Sequence, residues 1–254
     1  MNSTTKRISL ISAALSAMLL ASGCSTLPET SSKTIPPLRT YEDVVKKDSP
    51  RLLEVSDSME GFNRGAYRFN YNFDKYFFIP VVRTYEFILP DYVEDRVSNA
   101  VDNIGEFANL TNNLFQLKFK DAGITLSRFA INTTIGIAGL WDPATSFGLE
   151  RQTEDFGQTL GHYGTGNGSY IVLPIAGPSN VRDTAGMVVD GAIFTFAGPS
   201  AWVDDQGISN AYTATYVVDK RHRIPFRYRQ TGSPFEYELV RMLYTMKRDF
   251  DIAN

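Results

Sequence analysis

The feature that most limits the fold is the spacing of apolar and aromatic residues, which recur every three or four positions over several stretches. Such spacing places them on one face of a helix. It predicts helices over residues 62–77 and from about Tyr92, Asp121, Asn180 and Phe235. Asp57 and Asp121 are the expected N-caps of the first and third helices. No stretch keeps the alternation of a half-buried strand, so the sequence predicts a mostly α fold.

The first 23 residues have the layout of a cleaved secretory signal. Lys6 and Arg7 precede an apolar stretch over residues 8–20, and small residues follow at positions 21–23. The apolar stretch is too short for a membrane span, which needs roughly 20 residues. The only cysteine, Cys24, comes next and has no internal disulfide partner. We therefore expect residues 1–23 to be a signal peptide.

Cys24 is the expected lipid attachment site. The run Leu20-Ala21-Ser22-Gly23-Cys24 resembles the lipobox of bacterial lipoproteins, although Ala21 stands where leucine is commonest. The resemblance implies S-diacylglycerol and N-acyl groups on Cys24, and two or more acyl chains hold a protein stably at a membrane. Ser25 after the cysteine favours the outer membrane, on its periplasmic side. The alternative is an ordinary signal peptide followed by an incidental cysteine.

Composition indicates how the rest of the chain is divided and which kinds of ligand it excludes. Residues 24–56 are rich in Ser, Thr, Pro and charge, which predicts a lipidated flexible tether, and residues 57–254 form the expected domain. Loss of Lys6 and Arg7 with the signal leaves 23 basic and 28 acidic side chains, a net charge of −5. This balance argues against nucleic-acid binding. One cysteine and two histidines are too few for a structural zinc site, so we expect no metal and no cofactor beyond the covalent lipid.

The sequence shows no recognisable catalytic motif. Nucleophilic catalysis requires a base beside an activated serine, and no serine lies in a Gly-x-Ser-x-Gly elbow. Gly164, Gly166 and Gly168 lack the spacing of a nucleotide-binding loop. We therefore expect no enzymatic activity. The apolar stripes are those of amphipathic helices, which pack into a core or lie in a membrane interface.

Ordered motifs along the chain resemble those of the MlaA (VacJ) lipoproteins. They include Glu60-Gly61-Phe62-Asn63-Arg64, Asn112-Asn113-Leu114-Phe115-Gln116, Ile131-Asn132-Thr133-Thr134-Ile135-Gly136, Glu154-Asp155-Phe156-Gly157-Gln158-Thr159-Leu160-Gly161 and Gly177-Pro178-Ser179. The resemblance is dense from Asp57 to about Asp190 and returns from Phe235. It is thinnest over residues 194–233.

The resemblance implies a single ring- or disc-shaped helical domain seated in the inner leaflet of the outer membrane. Phospholipids mislocalised to the outer leaflet would pass through its central channel to a periplasmic lipid carrier similar to MlaC, which maintains lipid asymmetry. Association with a trimeric outer-membrane porin is also implied. A structural or adhesion-related lipoprotein without transport activity is the alternative.

Such a channel needs apolar walls, headgroup partners and a gate. Residues 141–155, flanked by glycines, are the candidate gate, and a static loop with tight turns is the alternative. The candidate gate and channel-lining residues are Gly139, Leu140, Trp141, Phe147 and Phe156. Arg151 and Arg182 are the candidate headgroup contacts. Core packing of the aromatics and ordinary salt bridges of the arginines are the alternatives.

Overall fold

The computed structural model describes residues 55–203, 205–230 and 232–253, so the signal peptide, Cys24 and nearly all of the tether lie outside the described residues. The helices are α1 (Glu60–Phe73), α2 (Ile79–Ile88), α3 (Asp91–Phe115), α4 (Phe119–Thr134), α5 (Pro143–Ser146), α6 (Phe156–His162), α7 (Val181–Phe196), α8 (Gln206–His222) and α9 (Glu236–Ala253). The predicted mostly α fold is confirmed. No helix in the described ranges combines the length and apolarity needed to cross a bilayer.

The first aromatic helix extends beyond the predicted residues 62–77. A π-helical turn, Asp74–Phe78, joins α1 directly to α2, and helical backbone continues to Ile88. Pro80 does not stop it, because Pro80 lies in the first turn of α2, where a proline is tolerated. Phe69, Phe73 and Phe77 stack in series along this continuous helix, with ring centroids 5.8 and 4.9 Å apart.

Two predicted N-caps were wrong. α1 begins at Glu60, and the Asp57 carboxylate instead accepts hydrogen bonds from Asn63, Tyr237 and Arg241. The Asp57 side chain therefore binds long-range partners instead of capping the helix, as the local pattern had predicted. Asp121 lies within the first turn of α4, which begins at Phe119.

A short β-hairpin was not predicted. Strand β1 (Tyr170–Leu173) pairs antiparallel with β2 (Gly177–Asn180). Two buried asparagines of α1 complete its hydrogen bonds. Asn63 donates to the carbonyl of Tyr170 and accepts from the amide of Val172, while Asn70 bonds in the same way to Leu173 and Ile175. These two asparagines therefore act as structural bridges between α1 and the hairpin.

The remaining helices support this frame. α3 packs mainly against α4, and α6 against α7. The helix predicted from about Asn180 is α7, which Asn180 caps by accepting from the amide of Asp183, and the predicted C-terminal helix is α9. Helices α2, α5, α6 and α8 were not predicted. The apolar core is small and lies between α1, β1 and α9, with Ala66, Tyr170, Val172 and Tyr237 at its centre.

Candidate functional site

The polarity of the buried residues is inverted relative to a soluble domain. Among the described residues, 22 polar or charged residues are buried and only nine apolar ones. Soluble domains usually show the opposite proportion, because buried polar groups require partners. On α1, Asn63, Ala66 and Asn70 are buried whereas Phe62 and Phe69 are exposed. A helix that buries its polar face and exposes its aromatic face suits an apolar environment.

Several other helices expose large apolar side chains. Phe87 of α2 is 90% exposed and Phe196 of α7 is 83% exposed. α9 exposes four apolar residues at helical spacing, Leu239, Leu243, Met246 and Phe250. Together with the exposed aromatics of α1, we call these residues the apolar surface. Exposed apolar surface on this scale marks contact with a membrane or with a protein partner.

Residues 141–155, which we call the loop segment, contain the four-residue helix α5. Buried Arg128 of α4 binds this segment through several hydrogen bonds. Its guanidinium donates to Asp142 Oδ2 at 2.9 Å, to Thr145 Oγ1 at 3.0 Å and to the carbonyl of Leu149. Its Nε donates to Glu106 of α3 at 2.9 Å. One arginine therefore ties α3, α4 and the loop segment together.

Asp142 is the main anionic partner on the loop side. It caps α5 by accepting from the amide of Thr145, and it also accepts from Asn132 of α4. Burial alone would raise the pKa of Asp142, but the hydrogen bonds from Thr145, Arg128 and Asn132 outweigh burial and lower that pKa to about 2. The carboxylate is therefore ionised at neutral pH, and both of its oxygens have partners.

The C-terminal end of the loop segment is anchored as well. Glu154 accepts from Gln116 and Lys118 at 2.7 and 2.9 Å, and Asp155 binds Arg248 of α9 through both oxygens. Asp155 and Gln158 form a capping box that starts α6. Residues 146–148, which lie between the two positions held by Arg128 at Thr145 and Leu149, are all exposed.

The five candidate channel residues do not gather at one point. Gly139 has φ +86°, and an added Cβ would lie 2.6 Å from the side chain of Asn103, so the close approach requires glycine there. The carbonyl of Leu140 accepts from Asn99, and Trp141 and Phe147 are exposed. Phe156 packs edge to face against Phe115 of α3, with the ring centroids 6.0 Å apart. This contact is separate from those of the other four candidates.

The two candidate headgroup arginines have internal carboxylate partners. Arg151 pairs with Asp102 at 2.6 Å, and buried Arg182 pairs with Asp183 at 2.8 Å. Neither lines the two cavities described below. The expectation of freely available phosphate partners at these positions is therefore not supported by the geometry, because both guanidinium groups are already compensated.

Among the cavities formed by the described residues, two border the loop segment or the apolar surface. The first, of about 460 Å³, opens beside the loop segment and is lined by Arg96, Asn99, Ile135, Trp141, Asp142, Pro143, Thr145 and Ser146. We call it the Trp141 cavity. The second, of about 470 Å³, has mainly apolar walls that include Phe73, Phe78, Phe226, Leu239 and Leu243. In the part of the chain that the structure describes, no three His, Cys, Asp or Glu side chains are placed to hold a metal ion.

Arg96 is the residue that the sequence reasoning missed. It lies on α3 with its guanidinium carbon 4.7 Å from the Tyr92 ring centroid and 5.6 Å from that of Trp141. Tyr92 precedes Arg96 by four residues, a spacing that places both on one helix face. That spacing was the only available signal, since the contact with Trp141 joins distant parts of the chain.

A second charged network joins α6, α7 and α9. Arg248 binds Asp183 as well as Asp155, and Tyr244 donates to Asp183 at 2.7 Å. Burial alone would lower the pKa of Arg248, but hydrogen bonds to the two aspartates raise it. Close helix packing accompanies the network, because a Cβ on Gly186 would lie 2.3 Å from the backbone nitrogen of Gly157.

Comparison with known proteins gives a consistent result. The family model described as "MlaA lipoprotein" matches residues 55–251. The chain is 32% identical over 206 residues to the intermembrane phospholipid transport system lipoprotein MlaA of Escherichia coli K12, covering 78% of this chain and 79% of that protein. The Haemophilus influenzae protein of the same name is 35% identical over 149 residues, which cover 57% and 59% of the two chains.

Other relatives match over a shorter range. An uncharacterised protein of Rickettsia prowazekii is 40% identical over 137 residues, so the chain spans about half the length of that relative, 55%. A solved structure concerned with the "structural basis for maintenance of bacterial outer membrane lipid asymmetry" is similar with a TM-score of 0.64 and 29% identity. That similarity covers 78% of this chain and 99% of the other.

Proposed function

Because this chain belongs to the MlaA lipoprotein family, we propose that it is an outer-membrane lipoprotein that removes mislocalised phospholipids from the outer leaflet. In this proposal the lipids pass through a channel in the protein to a periplasmic carrier, and lipid asymmetry is maintained. The observation that carries the proposal is the inverted polarity of the described residues, with a hydrogen-bonded polar interior beneath the apolar surface.

The physical argument rests on what each face requires. Moving exposed aromatic and aliphatic side chains out of water lowers the free energy, and lipid acyl chains provide an apolar environment for them. Buried polar groups, in contrast, would line or support a path for a polar headgroup. The acyl chains on Cys24 would place the domain at the inner leaflet, and the apolar surface would hold it there. A trimeric porin and an MlaC-like carrier are the proposed protein partners.

The two cavities suggest how one molecule serves both parts of a phospholipid. The Trp141 cavity combines a cation with apolar walls, whereas the second cavity offers mainly apolar side chains. The loop segment borders the first cavity through Trp141 and Asp142. We assign it the role of gate, with Arg128 and Arg248 holding the closed arrangement. No energy source is required at this step in the proposal.

Deleting the gene is expected to raise the amount of phospholipid in the outer leaflet and to increase sensitivity to SDS with EDTA. Surface-accessible phospholipid can be measured by a lipase or chemical label that does not cross the outer membrane. Wild-type protein should restore the barrier, whereas Cys24→Ala, which lacks the anchor, should restore it poorly. Unchanged surface phospholipid in the deletion strain would favour the structural or adhesion-related alternative.

Tethering the loop segment to α3 is expected to stop transport. Asp102 and Arg151 contact each other across this boundary, so Asp102→Cys with Arg151→Cys offers a site for a short bifunctional maleimide. Both single-cysteine variants, treated with the same reagent, are the controls. The cross-linked protein should leave surface phospholipid at the level of the deletion strain. Full transport after complete cross-linking would exclude gating by this segment.

A further inference from the structure

Arg96 stands apart from the other arginines that are at least partly buried. Within the described ranges, each of the others donates to a carboxylate or to a backbone carbonyl: Arg128, Arg151, Arg182, Arg221, Arg227, Arg241 and Arg248. Arg96 has no such acceptor, and its Nε is buried without a hydrogen-bond partner. Since no protein acceptor takes up this permanent charge, an anionic ligand at the terminal nitrogens of Arg96 would compensate it.

The surroundings of Arg96 form a cavity with a specific chemistry. The guanidinium lies over the rings of both Tyr92 and Trp141, and these contacts favour its position without neutralising its charge. Ile135 and Pro143 add apolar walls, and Ser146 adds an exposed hydroxyl. The cavity therefore presents a cation at an aromatic and aliphatic boundary.

Asp142 is the only other charged side chain that lines this cavity. Its Oδ1 accepts from Asn132 and the Thr145 amide, and its Oδ2 from Arg128 and the Thr145 hydroxyl, so both oxygens already have partners of their own. No ion pair joins Asp142 to Arg96 among the described residues. The positive charge of Arg96 is thus left for a ligand.

We propose that the Trp141 cavity is a binding site for the phosphodiester of a phospholipid, with Arg96 as its anion-binding residue. The planar guanidinium can donate two parallel hydrogen bonds to phosphate oxygens, and Trp141 and Ile135 contact the glycerol and the first acyl carbons. The proposal rests on the proposed function, because it assigns a binding site for the phospholipid headgroup on the transport path proposed above. A free phosphate ion shares the anion but gains nothing from the apolar walls.

The two tryptophans of the chain permit a direct test. In a Trp202→Phe background, Trp141 is the sole tryptophan and reports on its own cavity. The protein, purified in a phosphate-free maltoside detergent, is titrated with dioctanoyl phosphatidylethanolamine. Inorganic phosphate and dioctanoylglycerol, which lacks the phosphate, are titrated in parallel. We expect a saturable change in Trp141 fluorescence with the phospholipid alone.

Arg96→Gln should raise the Kd for the phospholipid by about tenfold or more, because the paired, charge-assisted hydrogen bonds to the phosphate are lost. Arg96→Lys should give an intermediate Kd, because it keeps the charge and loses the paired donors. The matched control is Lys120→Gln, which removes one positive charge from an exposed position of α4 and should leave the Kd unchanged. Far-UV circular dichroism and the Tm confirm that each variant is folded.

The outcomes separate the site from the proposed function. Equal phospholipid Kd values for the wild type and both Arg96 variants would overturn the site, as would equally tight binding of dioctanoylglycerol. Tight Arg96-dependent binding of inorganic phosphate would replace the phospholipid with a free anion. If the deletion strain keeps normal surface phospholipid while lipid binding still depends on Arg96, the transport function fails and the binding site remains.

Discussion

Replacing Arg128 with methionine is expected to lower the free energy of unfolding by about 3–5 kcal/mol, because it leaves a buried charge without its partner. The Glu106 side chain that it pairs with is 1% exposed, and the nearby cation Arg151 is more distant, with its Nε 3.8 Å from Glu106 Oε1. Asp142, Thr145 and the carbonyl of Leu149 lose hydrogen bonds in the same substitution. Chemical denaturation in detergent, followed by circular dichroism, measures the loss.

The double variant Arg128→Met with Glu106→Met is the matched control. It removes both charges, and the side chains of similar length fill the space, so much of the stability should return. The loop segment should stay loosened in both proteins, which hydrogen exchange of residues 141–149 can detect. A single variant as stable as the wild type, or a double variant no more stable than the single, would contradict the role of this ion pair.

The helices with strong periodicity could be predicted from sequence. α3 and α9 repeat apolar positions over several turns, and the structure places both helices where the pattern indicated. The direction in which the stripes face could not be predicted, since a helical stripe has the same spacing against a core and against lipid. The exposed stripe of α9 and the buried asparagines of α1 together decide this point.

Short elements and long-range partners escaped prediction for physical reasons. Each strand of the hairpin has only four residues, and β1 takes part of its hydrogen bonding from asparagines about a hundred positions away. Arg151 resembled a free phosphate partner because Asp102 is distant in the sequence, and Arg182 did so because adjacent helix residues do not usually face each other. Arg96 was overlooked for the opposite reason. Its lack of an acceptor appears only when its whole surroundings are known.

The network at α9 leads to the second large effect. Arg248→Met is expected to destabilise the protein by about 3–5 kcal/mol, a size typical of breaking a buried ion pair. Most of the effect should come from Asp183, which is buried, and less from Asp155, whose side chain is 44% exposed. Asp183 keeps its bonds to Arg182 and Tyr244, which sets the lower end of the range.

The adjacent residue supplies the control. Lys247 is exposed and pairs with Asp251 one helical turn away, so Lys247→Met removes the same charge at a cost of about 0.5 kcal/mol or less. Arg248→Lys should fall between the two, since an ammonium cannot bind both aspartates through paired donors. Urea unfolding of the three variants in one detergent gives the comparison. Equal stability of Arg248→Met and Lys247→Met would mean that the ion pairs of Arg248 do not stabilise the packing of α9. The end of the loop segment at Asp155 could then move without a loss of stability at this network.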